Sequence, residues 1–214
     1  MIQGCRGRLQ GEQLDDGGET VRKLIVSEFV TLDGVMEDPG GAEGFDRGGW
    51  AFRFERGPEG DAFKLDEILE SDALLLGRRT YEGFADAWPS RTDDAGFADK
   101  MNSMPKYVVS NTLETAAWNN STLLRGDVGD AVRALKESPG GDILVAGSGQ
   151  LVRELERQDL VDEYRLMVFP IVLGSGTRLF GEDGEPKALA VVDARPAGDV
   201  VILTLRRVTA SDEQ

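Results

Sequence analysis

The sequence has no histidine and a single cysteine, and these absences exclude several common kinds of active site. Without histidine there is no Ser-His-Asp or Cys-His arrangement, no imidazole general base and no histidine-ligated zinc. A zinc site of the cytidine-deaminase type is excluded as well, because its His-x-Glu and Cys-x-x-Cys ligands are missing. The lone thiol, Cys5, cannot form an internal disulfide bond, which is typical of a reducing compartment. We therefore expect no metal site and a cytoplasmic location.

Long apolar runs are also missing. No run reaches the roughly 20 apolar residues that a membrane-spanning helix needs, so we expect a soluble protein. Residues 1–20 are rich in Gly, Gln and acidic residues and lack the apolar centre of a secretory signal. We predict that residues 1–20 form a disordered N-terminal arm and that residues 21–210 form one domain.

Positive charge is scarce relative to negative charge. The 24 basic and 39 acidic residues give a net charge of −15. Such a field repels nucleic acid and anionic membrane surfaces, so we expect neither as a partner. A small molecule is the expected partner, and a phosphate-bearing one needs a local basic site.

Short apolar runs alternate with helical periods along the chain. Tyr81, Phe84, Ala85 and Trp88 share one helix face, and a second predicted helix has Ala62, Leu65, Ile68 and Leu69 at helical spacing. Asp127 is a candidate N-cap for another helix, and one more helix begins near Gly149. Strands are predicted over 23–30, 73–76, 106–110, 122–124 and 142–146.

The remaining part of the chain is predicted to be β-structure. A long strand over 163–173 is interrupted by Pro170, which indicates an edge or a bulge, and strands over 188–194 and 200–208 pair across a turn at 195–199. The other apolar runs are typical of strands buried on both faces. We predict a three-layer α/β fold with a mostly parallel central sheet, an antiparallel C-terminal hairpin and helices on both faces.

The first candidate binding segment follows the predicted strand 73–76 and consists of Gly77, Arg78, Arg79 and Thr80. Free N–H groups and the helix dipole favour an anion at such a strand-to-helix junction. Two guanidinium groups add a bidentate grip on phosphate. The alternative is an ordinary helix start with solvated arginines.

Two further strands end in similar segments. Ser110, Asn111 and Thr112 could bind ribose or phosphate oxygens, or they could form a simple turn. The third segment runs from 147 to 150, where small residues allow close approach to a pyrophosphate, and the alternative is a tight strand-to-helix turn. Because ligands of open α/β sheets collect at the carboxyl ends of strands, one dinucleotide could contact all three segments.

Asp33 and a glycine-rich loop complete the candidate site. Asp33 follows the first strand, where a carboxylate could orient a substrate or relay a proton, or could simply serve an Asp-Gly turn. Residues 37–60 carry Phe45, Trp50, Phe52 and Phe54 without a clear period. Aromatic residues on such a loop favour a lid or a pocket wall, with Trp50 as its candidate contact.

Several segments in this order resemble the dihydrofolate-reductase-like superfamily. The more specific similarity is to the reductase domain of bifunctional riboflavin-biosynthesis deaminase-reductases and its stand-alone bacterial relatives. The matching segments are SEFVTLDGVMEDP (27–39), LLLGRRTYEGF (74–84), YVVSNTL (107–113), ILVAGSGQLVREL (143–155) and LVDEYRLMVFPIVLGSGTRLF (160–180).

The resemblance implies an NADPH-dependent reductase that forms a homodimer through its C-terminal strands. It implies Asp33 as the catalytic residue and, with the loop argument, Thr31, Asp33 and Trp50 as substrate-binding residues. The residues implied to bind NADPH are Gly77, Arg78, Arg79, Thr80, Ser110, Asn111, Thr112, Ala146, Gly147, Ser148, Gly149, Gln150 and Leu151.

The resemblance is incomplete, and the missing parts narrow the expected substrate. The zinc deaminase half of the bifunctional enzymes is absent, and the acid on the first helix of dihydrofolate reductases has no clear counterpart. We expect hydride transfer to a small heterocycle or a ribosylamino-pyrimidine. The alternatives are a reductase of a pterin, a flavin or a natural-product intermediate, and a non-catalytic nucleotide-binding protein.

Overall fold

A computed structural model describes residues 21–181 and 186–208. The predicted arm at 1–20, which includes Cys5, lies outside the described residues, as do residues 209 and 210 of the predicted domain. Within the described part of the chain, no helix is long and apolar enough to cross a membrane.

Strands and helices alternate through the first three quarters of the chain. The strands are β1 (Leu24–Thr31), β2 (Ala73–Gly77), β3 (Lys106–Val109), β4 (Ser121–Leu124), β5 (Ile143–Ala146), β6 (Glu163–Phe169), β7 (Leu189–Ala197) and β8 (Val200–Arg207). The helices are α1 (Gly57–Glu70), α2 (Arg78–Ala87), α3 (Phe97–Ser103), α4 (Val128–Glu137) and α5 (Gly149–Arg157), with a short 3₁₀ helix over Trp50–Arg53.

The strands form one sheet in the order β4-β3-β2-β5-β1-β6-β8-β7. Strands β1 to β6 pair parallel with one another, whereas β8 pairs antiparallel with both β6 and β7. The predicted mostly parallel sheet with an antiparallel C-terminal hairpin is confirmed. Because β5 inserts between β2 and β1, the chain reverses its direction of progress there, and such reversals create ligand crevices.

Helices cover both faces of the sheet, as predicted. Leu24 and Val26 pack towards α4 and α5. Ile25, between them in sequence, packs on the other face with Ile68 of α1 and Met101 of α3. This alternation follows from the two-residue side-chain period of a strand, and burial on both faces explains why β1 begins with three consecutive apolar residues.

Three local predictions were wrong, and one helix was missed. Strand β6 ends at Phe169 rather than at residue 173, because Pro170 has no N–H to continue the ladder. The hairpin strands extend through the predicted turn, since Ala197 still pairs with Val200. Helix α3 was not predicted. Helix α1 was predicted, but its buried side chains include Glu67 and Ile68, whereas Leu69 is 43% exposed.

Candidate active site

The three predicted binding segments meet at the carboxyl ends of β2, β3 and β5. Ser148 Oγ accepts a hydrogen bond from the Gly77 backbone N–H at 2.8 Å and donates to Thr80 Oγ1 at 2.8 Å. Arg78 Nη1 donates to Thr112 Oγ1 at 2.9 Å. These bonds join the segment after β2 to the segments after β5 and β3, although the three are far apart in sequence.

The joined segments line one cavity of about 1080 Å³. Drug-sized ligands occupy pockets of roughly 300–1,000 Å³, so this cavity has room for a dinucleotide and a small second ligand. Every residue that the sequence suggested for NADPH lies on its wall: Gly77, Arg78, Arg79, Thr80, Ser110, Asn111, Thr112, Ala146, Gly147, Ser148, Gly149, Gln150 and Leu151.

The turn after β5 requires glycine at its first position. Gly147 has a φ of +59°, and a Cβ there would lie 2.9 Å from Thr80 Oγ1 and Cγ2. Ser148 follows with a φ of +67°, also left-handed, and α5 begins at the next residue. The N-terminus of α5 therefore begins at the cavity wall, and free N–H groups at a helix N-terminus favour an anionic ligand.

The segment after β3 is held largely by its own hydrogen bonds. Ser110 Oγ accepts from the backbone N–H groups of Thr112 at 3.2 Å and Leu113 at 2.9 Å. Asn111 Oδ1 accepts from the Gly126 N–H at 2.8 Å. The turn expected as the alternative is therefore real, and it fixes a polar wall of the cavity.

Asp33 and Thr31 lie outside the cavity wall. The Asp33 carboxylate accepts hydrogen bonds from Thr31 Oγ1 at 2.6 Å and from the N–H groups of Leu173 at 3.1 Å and Gly174 at 2.7 Å. The Thr31 hydroxyl and these amides lower the pKa of Asp33 to about 2. A carboxylate held in this way anchors a loop and donates no proton near neutral pH, so its contacts support the turn-residue alternative.

Trp50 is likewise a core residue and not a pocket contact. Its side chain is 0% exposed, its indole N–H donates to the Glu37 carbonyl at 2.9 Å, and its ring meets Phe169 edge-on at 5.2 Å. The loop does form part of the cavity wall, through residues that include Phe52, which is 82% exposed. The loop therefore forms part of the pocket wall, as expected, but the aromatic residue that it contributes to the cavity is Phe52 and not Trp50.

A group of polar and charged residues on the cavity wall was not predicted from the sequence. Ser27 and Glu28 come from β1, and Lys64 and Glu67 come from α1. Lys64 forms an ion pair with Glu67 and donates to Ser27 Oγ at 2.6 Å, and Ser27 Oγ donates to Glu67 Oε1 at 2.7 Å. A glutamate in the otherwise apolar run LIVSEFV was the available signal. Glu67 also gives the first helix a buried acid at the cavity.

The family comparison covers nearly the whole described domain. Residues 22–203 match the model of the RibD C-terminal domain. Two Bacillus subtilis (strain 168) proteins are similar over most of their length. YyaP, an uncharacterized protein, is 28% identical over 184 residues, which cover 85% of this chain and 92% of YyaP. YwjB, also uncharacterized, is 29% identical over 182 residues, which cover 85% of this chain and 96% of YwjB.

Solved structures share the fold. A protein from Shewanella sp. PV-4 described as a riboflavin biosynthesis protein aligns with a TM-score of 0.68 at 23% identity, over 87% of this chain and 99% of that one. A Thermotoga maritima diaminohydroxyphosphoribosylaminopyrimidine deaminase/5-amino-6-(5-phosphoribosylamino)uracil reductase aligns with a TM-score of 0.59 at 15% identity. That alignment covers 88% of this chain and 57% of the longer one.

The family match and the shared fold agree with the resemblance that the sequence motifs indicated, and they confirm it. The chain belongs to the RibD C-terminal domain family, a reductase-type family with a dihydrofolate-reductase-like fold.

Proposed function

We propose that this protein is an NADPH-dependent reductase that transfers a hydride to a small heterocyclic or ribosylamino-pyrimidine substrate. The observation that carries the proposal is the convergence of residues 77–80, 110–112 and 146–151 on one cavity. One elongated, phosphate-bearing ligand would contact all three segments, and a dinucleotide has that shape.

The residues present fit NADPH. Arg78 and Arg79 begin α2 beside the cavity, where guanidinium groups and free helix N–H groups bind phosphate. The resemblance to the riboflavin-biosynthesis reductases implies that residues 110–112 lie near the adenosine ribose and its 2′-phosphate. The hydrogen bond from Arg78 to Thr112 brings one guanidinium next to this segment. Gly147 lets the turn after β5 pack closely against Thr80, in the segment after β2. When bound, NADPH supplies the hydride, and the protein supplies orientation and exclusion of water.

The substrate would occupy the other end of the cavity, between β1, α1 and the loop at 37–56. Phe29 and Phe52 offer aromatic surfaces there, and Ile68 of α1 adds an aliphatic one. Lys64 Nζ lies 5.4 Å from the centre of the Phe29 ring. Apolar walls with a few convergent polar groups are typical of sites for planar ring compounds.

Turnover assays test the proposal. Purified protein and NADPH are mixed with 5-amino-6-(5-phosphoribosylamino)uracil, and NADPH oxidation is followed by absorbance. A panel of pterins and flavins is assayed in parallel. We expect oxidation that requires both protein and one of these acceptors. Tight NADPH binding without oxidation by any acceptor would favour a non-catalytic nucleotide-binding protein, and absence of NADPH binding would refute the proposal.

We also propose that the protein is a homodimer assembled through its C-terminal strands. Val191 and Val192 on the edge strand β7 are 64% and 55% exposed, and Val201 on β8 is 45% exposed. Exposed valines on an edge strand and on the strand beside it favour burial against a second copy. Light scattering after size exclusion should give twice the chain mass, and Val191→Lys should shift the protein towards monomer.

A further inference from the structure

Glu28 lies where strands β1 and β5 part. The parallel register between these strands ends at the pair Ser27 and Ala146, while β1 continues to pair with β6 on its other side. Glu28 and Gly147 are therefore the first residues beyond the shared ladder, and both line the cavity. Strand separations of this kind are where open α/β sheets bind their ligands.

Glu28 has an unsatisfied atom at this position. Its residue is 6% exposed, and within the described residues its Oε1 is buried without a hydrogen-bond partner. An ionised carboxylate with an unpaired oxygen is costly to bury, and the usual outcome is that the group stays neutral. A neutral carboxyl group beside a ligand cavity has an O–H to give.

The charges around Glu28 also favour a retained proton. Lys64 of α1 faces it but is already bound to Glu67 and Ser27, and Glu43 of the loop adds a further carboxylate nearby. The single ammonium group of Lys64 thus lies near two carboxyl groups, those of Glu28 and Glu67, while a third, that of Glu43, lies near Glu28. Closely spaced carboxyl groups tend to keep at least one proton among them. Burial raises the pKa of Glu28 well above its usual range, Glu67 and Glu43 add to the rise, and Lys64 and the Gly147 N–H oppose it.

We propose that Glu28 is the catalytic acid of the reductase and protonates the substrate heteroatom next to the carbon that is reduced. The proposal rests on the reductase function proposed above. It assigns a role that the motif residues leave unfilled, because Asp33 is committed to the Leu173 and Gly174 amides. Lys64 and Glu67 act as positioning residues, because their bonds to each other and to Ser27 fix the polar side chains around Glu28.

The step consumes one hydride and one proton. The substrate carbon of a C=N or C=O bond gains the hydride supplied by the nucleotide, and the π pair of that bond moves to nitrogen or oxygen. This heteroatom takes the proton from the Glu28 O–H, which leaves Glu28 as a carboxylate. Water entering the open cavity after product release returns the proton. The acceptor is thereby restricted to compounds whose reducible carbon adjoins a basic nitrogen or oxygen.

The protonation state of Glu28 can be read without turnover. Carbon-13 NMR of protein labelled at glutamate side-chain carboxyls is recorded across a pH series, and Glu28→Gln identifies the Glu28 resonance by its loss. We expect that resonance to stay in the protonated position at pH values well above those at which an ordinary glutamate titrates. Titration at the ordinary glutamate pKa of about 4.3 would overturn the proposal.

Kinetics then test the role of the proton. General acids typically contribute 10²–10⁴-fold, so Glu28→Gln should lower kcat by about 100-fold or more with the acceptor found in the turnover assays. Glu28→Asp should recover part of that loss and shift the alkaline limb of the pH profile. Glu70→Gln is the control for loss of one glutamate charge, because Glu70 is exposed at the end of α1 and is absent from the cavity wall.

The two proposals fail in different ways. If the wild-type protein does not bind NADPH, the reductase function falls. If wild-type binds and oxidises NADPH while Glu28→Gln matches Glu70→Gln in kcat and pH profile, the catalytic role of Glu28 falls and the reductase function stands. Loss of kcat in Glu28→Gln with unchanged NADPH affinity and thermal stability supports both.

Discussion

Ser148 Oγ lies 2.8 Å from the Gly77 backbone nitrogen, and this hydrogen bond joins the turn before α5 to the start of α2. The two residues are 71 positions apart, yet they set the spacing of two helix N-termini across one cavity. Ser148 Oγ also donates to Thr80 Oγ1, so one hydroxyl group binds two residues of the segment after β2, Gly77 and Thr80. The candidate phosphate-binding wall is therefore preorganised by a side chain that sequence motifs present as an ordinary small turn residue.

Ser148→Ala removes the hydrogen bonds from the Ser148 hydroxyl to Gly77 and Thr80. The Gly77 N–H loses its partner in a partly buried position, so the free energy of unfolding should fall by about 1–3 kcal/mol, and NADPH affinity should fall with it. Urea unfolding and calorimetry measure the two effects. Ser103→Ala is the control, because Ser103 is exposed and its contact to the Lys100 carbonyl is long, at 3.4 Å. Unchanged stability and affinity in Ser148→Ala would contradict the preorganised wall.

Arg78→Ala should change cofactor preference. Arg78 reaches Thr112 in the segment expected near the 2′-phosphate, and hydrogen bonds to charged groups contribute about 1.5–3 kcal/mol. We expect NADPH affinity to fall roughly 10- to 100-fold while NADH affinity changes little. Arg133→Ala on α4, also an exposed ion-paired arginine, should leave both affinities unchanged. An equal loss for the two nucleotides would remove Arg78 from the 2′-phosphate.

Gly147→Ala tests whether close packing of the turn after β5 against Thr80 is needed to build the NADPH-binding wall. The left-handed φ of +59° and the 2.9 Å distance from a Cβ to Thr80 both oppose a side chain here. We expect lower thermal stability and weaker NADPH binding. Gly83→Ala is the matched control, because Gly83 lies inside α2 with nothing within 4 Å of its Cβ and should gain about 1 kcal/mol in stability. Tight binding by a stable Gly147→Ala protein would refute the argument.

Asp33→Asn should reduce stability and leave NADPH affinity intact. The carboxylate accepts three hydrogen bonds, and its loss should cost about 1–3 kcal/mol of unfolding free energy. Because the pKa is lowered to about 2 in the folded protein, this stabilisation is fully present above the unfolded value of about 3.9 and is lost as pH falls towards 2. The difference between wild-type and Asp33→Asn should therefore shrink over that range in urea unfolding.

A loss of turnover in Asp33→Asn would instead indicate a catalytic role for Asp33. If Asp33→Asn lost activity with its stability unchanged, the side chain would belong to the chemistry and not to the loop. Asp66→Asn, at an exposed position of α1, controls for removal of one carboxylate.

The alternation of strands and helices was predictable because local physics decides it. The apolar runs over β2 and β5 are buried on both faces, and Asp127 caps α4 through a 3.0 Å bond from the Asp130 N–H to Oδ1. Helix α3 escaped prediction because seven residues with mixed polarity carry no clear period. Its stability comes from packing, where Ala98 and Met101 are buried.

In the candidate site, too, features set by local sequence were predictable and features set by distant contacts were not. Segments after strands were predictable because parallel strands bring their carboxyl ends to one edge. The positions of Asp33, Trp50 and Glu28 depend on distant contacts: Asp33 with the 173–174 amides, Trp50 with Phe169, and Glu28 with the end of the β5 ladder. No local pattern encodes those partners, so the sequence alone could not show that Asp33 and Trp50 lie outside the cavity wall and that Glu28 lies on it.

Calorimetric titration of the purified protein with NADPH and with NADH tests the central claim, that the three converging segments form one site for a 2′-phosphorylated dinucleotide. We expect one NADPH per chain, bound at least about 10-fold more tightly than NADH because a guanidinium contacts the additional phosphate. Equal affinity for the two nucleotides, or no heat of binding with either, would contradict it.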